Sequence, residues 1–175
     1  MNSKAEEHDA SCKCEYTENL ELLRQIDFFS GFPIEKLKIM AYLCTRESFA
    51  AEEQLFAQSE DDGQAFFIIS GQVELTHERN GAPEVVERFG PGAFLGGLSL
   101  LGRMRRLFAL KATEKTVCLV MSRDKFVRSI EQFPELVPKL LNAVAERIRS
   151  WEKRHLFDMI EKNEPLAGRA GVSIL

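Results

Sequence analysis

No apolar run in this chain approaches the roughly 18 residues that a membrane-spanning helix needs, so the sequence offers no candidate span. A basic surplus is also missing. Against 23 Lys and Arg stand 27 Asp and Glu, a net charge of −4, so whole-chain electrostatics lend nothing to nucleic-acid binding. The motifs G-x-S-x-G, the P-loop and H-E-x-x-H are absent. His8, His77 and His155 are far apart, with no ligand motif beside them, and an enzyme is the least expected class. Residues 1–16 are polar and acidic, the wrong chemistry for a signal peptide, so a cytoplasmic address is expected.

Cysteine is scarce and dispersed. Cys12 and Cys14 form C-x-C near the start, whereas Cys44 and Cys118 lie inside apolar segments. Four thiolates are enough for zinc or an iron–sulfur cluster, but no second close pair accompanies the first. Two buried thiols and two exposed ones are expected, with no metal and no cofactor.

What the chain does have is the material of a packed core. Of its 175 residues 45% are hydrophobic and 29% charged, the balance of a globular protein. Residues 1–16 lack periodicity and read as a disordered leader. From Asn19 the pattern turns helical, with Leu20, Leu22, Leu23 and Ile26 ahead of Phe28 and Phe29. Pro33 suits the first turn of a second helix, along which Leu37, Met40, Ala41 and Cys44 recur.

After Thr45 short strands alternate with turn signals. Arg46–Phe49, Gln54–Ala57, Ala65–Ser70, Gln72–Arg79, Pro83–Phe89, Arg106–Lys111 and Thr116–Ser122 are the expected strands. Glu60-Asp61-Asp62-Gly63 and Asn80-Gly81 are turns, the latter a strong hairpin signal. Gly71 marks a bend or a close backbone approach. Past Arg123 come a short helix, Asp124–Phe133, and a long one from Glu135 to about Ile160. The fold class is therefore mainly β with flanking helices: a sandwich, roll or barrel preceded by helices and followed by a long helix.

Several strings now carry a resemblance. Gln54-Leu55-Phe56, then Ala65 through Val73 with Gly71 between two strands, then Phe89-Gly90-Pro91-Gly92-Ala93-Phe94-Leu95-Gly96 and Leu98-Ser99-Leu100-Leu101 follow in order, and Arg106 lies shortly after. Over about residues 19–157 this resembles the cyclic-nucleotide-binding domain family of catabolite-activator-type regulators, protein kinase A regulatory subunits and gated channels. The resemblance implies a β-roll (a double-stranded β-helix or jelly roll) with N-terminal helices, a C-terminal hinge and a long helix. The expected divisions are a leader over 1–16, the roll over 17–133, a dimer or lid helix over 134–162 and a flexible tail over 163–175.

The resemblance also implies a phosphate-binding cassette, with Gly96, Gly97, Leu98, Ser99, Arg105, Arg106, Leu107 and Phe108 as the expected ligand-binding residues. Arg106 stands at the family's phosphate-arginine position, and Arg105 replaces it if the loop slips by one. A short helix and an arginine suit a cyclic phosphate by free N–H groups and a charge-assisted contact. Gly96 and Gly97 either let a phosphate approach or make a tight turn that needs positive φ, and the turn is preferred for Gly97.

The chain departs from the family at four places. Gly97 stands where a ribose-binding Glu is usual, a contact of about 1.5–3 kcal/mol. Leu107 and Phe108 stand where the family has Ser or Thr and then Ala, and Phe108 is able to fill part of the cavity. Glu52 and Ser59 replace turn glycines. Glu74, Glu84 and Glu87 are either substitute carboxylates or exposed strand residues.

Val137, Leu141, Val144, Ile148 and Trp151 make a short heptad seam, either a homodimer interface or a face packed on the roll, with the homodimer preferred. Three functions compete. The first is a regulatory module that binds a cyclic nucleotide (cAMP or cGMP) or a related small anion and relays it through the C-terminal helices. The second is a degenerate fold that has lost its nucleotide and acts as a protein-interaction or dimerisation platform. That reading expects an apolar, partly filled pocket. The third is a transcription factor, which is disfavoured because too few residues follow Ile160 for a DNA-binding domain. No membrane partner is expected.

Overall fold

The computed structural model of the chain describes residues 15–79 and 82–161, without the side chains of residues 79, 151 and 154–161. The expected leader up to residue 14, the tail, Cys12, Cys14, the Asn80-Gly81 turn and the Trp151 side chain therefore lie outside the described residues.

Helix α1 is present from residue 15 to 24, so residues 15 and 16 belong to it and not to the leader. A 3-10 turn at Asp27–Phe29 and helix α2 (Ile34–Leu43) follow, with Pro33 capping α2 rather than opening its first turn. Eight strands come next: β1 (Thr45–Phe49), β2 (Gln54–Phe56), β3 (Gln64–Ser70), β4 (Val73–Arg79), β5 (Ala82–Phe89), β6 (Phe94–Leu95), β7 (Ala109–Ala112) and β8 (Thr116–Ser122). They form two antiparallel sheets, ordered β1-β8-β3-β6 and β2-β7-β4-β5. Helix α3 (Arg123–Gln132), a 3-10 turn at Pro134–Leu136 and helix α4 (Val137–Glu161) complete the described chain.

Strands β3 and β8 are buried on both faces, which is why they read as unbroken apolar runs. Along β3, Ala65 and Phe67 face the helices, while Phe66 and Ile68 face the second sheet. Two cores result. One lies between the sheets around Phe49, Phe56, Phe66, Val73, Leu110 and Val120. The other lies between the first sheet and the helices, with Leu23, Phe29, Met40, Phe126, Leu136 and Leu140. Cys44 belongs to the second core and Cys118 to the first, so the two thiols are not brought together, and burial pushes each up to about 12.

Two differences from the expected strands have a physical cause. β7 begins at Ala109 and not at Arg106, because Arg106 exchanges backbone hydrogen bonds with Ser59 and Glu60 in a loop. β6 escaped notice because two residues are too short to show alternation. Gly71, at φ 90°, is a close approach as expected: a Cβ there would stand 2.6 Å from the Lys115 carbonyl oxygen.

Glu52 and Ser59 have φ of 70° and 68°, the left-handed region that glycine suits. The backbone holds them there, since Glu52 N–H donates to Ala112 O and Ser59 N–H to Arg106 O, both at 2.8 Å. A left-handed non-glycine residue costs about 1–2 kcal/mol, and glycine gives back about 0.5–1 kcal/mol through the flexibility of the unfolded chain. Ser59→Gly should therefore stabilise the protein by roughly half a kcal/mol, read as a higher urea midpoint at unchanged slope.

Candidate functional site

All eight expected cassette residues line one cavity of about 520 Å³, between the second sheet, the cassette and α4. The walls are mostly apolar. Phe28, Phe56, Leu75, Phe94, Leu95 and Met104 join the cassette, and α4 contributes Val144, Arg147 and Ile148. The expected short helix is a four-residue 3-10 turn, Gly97–Leu100, entered through Gly96 at φ 79°. Ser99 is fully buried there, and its carbonyl oxygen accepts from Arg123 Nε at 2.6 Å.

Arg106 is buried, and its charge is matched inside the protein. Its Nε donates to Asp62 Oδ1 at 2.7 Å and Nη2 to Oδ2 at 2.8 Å, a bidentate pair. Nη2 also donates to Gln64 O, and the guanidinium carbon stands 4.0 Å over the Phe56 ring. The remaining edge lies against Gly96, where a Cβ would come within 2.5 Å of Nη1. Glycine at 96 thus serves both the turn and the arginine.

Gly97 answers to a different constraint from the expected one. Its φ is not in the positive range, so the turn does not require glycine there. Instead a Cβ would stand 2.7 Å from the Phe94 ring and 3.3 Å from Phe28. The ring centroids of Phe28 and Phe94 are 5.6 Å apart, and both pack with Phe29. Where the sequence resemblance implied a carboxylate stem, this chain places aromatic carbon.

No other carboxylate takes over. Among the described residues no Asp or Glu lines the cavity. Glu74 is directed to Arg88 at 3.7 Å and Lys111 at 3.6 Å, and Glu84 and Glu87 are exposed. Phe108 lines the cavity without filling it, its ring set edge-on to His77 at 5.7 Å. Leu107 is 75% exposed at the mouth.

The family model for the cyclic nucleotide-binding domain matches residues 46–133, half of the chain and the roll from the second residue of β1 through α3. This chain belongs to the cyclic nucleotide-binding domain family.

As such a domain it is similar to cGMP-dependent protein kinase 2 of Homo sapiens, 26% identical over 136 residues, which is 76% of this chain but only 18% of the kinase. It is 24% identical over 156 residues to the CRP-like cAMP-activated global transcriptional regulator of Mycobacterium tuberculosis, covering 89% of this chain and 68% of that protein. Among solved structures, a cyclic nucleotide-binding-like protein from Brucella abortus matches with TM-score 0.61 and 28% identity, over 65% of this chain and 98% of the other.

Sequence reasoning missed the apolar walls of this domain's site and three residues that matter most to it. Asp62 was read only as part of an acidic turn. Phe94 was read as part of the approach to the cassette, with no hint that its ring stands over Gly97. Arg147 carried no motif, although its spacing from Val144 on a helix would have placed both on one face. The heptad seam is divided. Val144 and Ile148 line the cavity, whereas Val137 and Leu141 are 38% and 63% exposed.

The Arg106–Asp62 pair has side chains only 7% and 10% exposed, so breaking it strands a buried charge. Asp62→Ala should cost about 3–5 kcal/mol in chemical denaturation. Gly97→Ala should cost about 1–3 kcal/mol by overpacking against Phe94, and pairing it with Phe94→Ala should give less than the summed losses.

Proposed function

We propose that this chain is a non-catalytic, cytoplasmic regulatory module that takes a small anion, of which a cyclic nucleotide is the family's example, into the cavity and relays its presence through α3 and α4. One observation carries the reading: the cassette and α4 line the same cavity, Leu98, Arg105 and Leu107 on one side and Val144, Arg147 and Ile148 on the other. A ligand that touches both has a differential affinity for the arrangement in which α4 is docked, and that difference is what shifts a population. Its size, about 520 Å³, falls within the range of small-molecule sites.

A second reading rests on Gly97 and Arg106. With the carboxylate stem replaced by Phe94 and the arginine matched by Asp62, the roll serves as a dimerisation or docking platform. Its contact is the exposed Val137 and Leu141 of α4, and homodimerisation along that seam is compatible with both readings.

Arg106→Ala is a poor probe of binding because it also strands Asp62. Ile148→Asp is better, since the residue is 39% exposed at the cavity and the new charge repels an anion. We expect calorimetry with cAMP, cGMP, cyclic dinucleotides and simple organic anions to find saturable one-to-one binding, weakened tenfold or more by Ile148→Asp at unchanged melting temperature. A folded protein that binds none of them hands the function to the platform reading. On that reading Leu141→Asp should convert dimer to monomer in sedimentation.

A further inference from the structure

Three arginines line the cavity, and only one of them is matched. Arg106 is bolted to Asp62 and Gln64 O, but among the described residues Arg105 and Arg147 form no salt bridge and both are exposed. They reach the cavity from opposite sides, Arg105 from the cassette loop and Arg147 from α4. Among the described residues no carboxylate lines the cavity to neutralise them or to accept a hydrogen bond from a sugar hydroxyl.

The rest of the lining is mostly apolar. Phe28 and Phe94 occupy the floor beside Gly97, Phe56 and Leu75 line the roll side, and Leu98, Leu107, Val144 and Ile148 surround the mouth. Among the described residues no carboxylate is there to accept from a sugar hydroxyl, and a hydroxyl buried against these apolar walls without a partner costs roughly 1–3 kcal/mol. An aromatic or alkyl body would instead gain from every apolar surface it covers.

We propose, resting on the sensor reading above, that the cavity selects an amphipathic organic anion: an aromatic or alkyl carboxylate with its body among the phenylalanines and its head between Arg105 and Arg147. The head group then joins the cassette loop to α4. Binding therefore favours the docked position of a helix whose Val144 and Ile148 line the same cavity. Arg106 stays a structural bolt throughout.

Calorimetry on the full chain with 2-naphthoate and decanoate, the uncharged 2-naphthamide, cAMP and cGMP tests this. Both carboxylates should bind, the amide at least tenfold more weakly than 2-naphthoate, and both nucleotides more weakly than 2-naphthoate. Arg105→Gln with Arg147→Gln, both at exposed positions, should weaken 2-naphthoate at least tenfold and leave the melting temperature unchanged. In amide hydrogen exchange, 2-naphthoate should slow α4 around residues 144–148 in the native protein but not in Arg147→Gln.

Tighter binding of cAMP or cGMP than of either carboxylate would overturn the ligand class and leave the sensor standing. Equal binding of 2-naphthoate and its amide, or indifference to the double substitution, would overturn the head-group assignment. Silence from every probe would remove the sensor reading together with this one.

Discussion

The site depends on one ion pair. Arg106 and Asp62 are held together by two parallel hydrogen bonds in a nearly dry setting, where a charge-assisted pair is geometrically exacting. The same arginine meets the loop through its backbone, accepting from Ser59 N–H and donating to Glu60 O. Arg123 grips the neighbouring Asp61 while its Nε reaches Ser99 O. That grip holds the Asp61 carboxyl below its usual range, the hydrogen bond from Arg123 being the first cause. Two arginines thus rivet one acidic turn to the cassette, and the cavity takes its shape from that joint.

Rigidity at the joint decides what chemistry is left over. An arginine locked to an internal carboxylate contributes little net field to the cavity, so on the proposed sensor reading the selectivity falls to Arg105 and Arg147. The aromatic floor acts in the same direction, since Phe94 packed over Gly97 leaves no room even for a methyl group. Relative to the cassette that the sequence led one to expect, the site lacks a carboxylate at position 97 and fills the space beside it with aromatic carbon.

Much of this plan was legible in the sequence. The glycine between two apolar strands, the hairpin spacing of β4 and β5 and the helical periodicity of Leu37, Met40 and Ala41 all follow from local steric rules, and the structure contains those elements. The departures at Glu52 and Ser59 were legible too, and they fall where the backbone is left-handed. Asp62 was not legible, because its partner lies 44 residues away and no local pattern links them. Gly97 was misread for a similar reason. A missing side chain is visible in the sequence, but the ring that requires its absence arrives through tertiary packing. The seam on α4 was ambiguous from the start, since one apolar stripe serves equally well against a roll or a second helix.

Strand order also governs how this chain comes off the ribosome. Among the described residues β1 lies at a sheet edge and pairs only with β8, and the central β3 is flanked by β6 and β8. Neither sheet is complete until residues 109–122 have emerged. Until then the Phe66-Phe67-Ile68-Ile69 segment, which ends up sealed between two cores, has no partner on its β8 side. Such long-range pairing is slow, and a nascent apolar strand without its neighbour is the kind of surface that chaperones retain. The residues that make the finished roll most secure are the ones that leave the growing chain most exposed to aggregation.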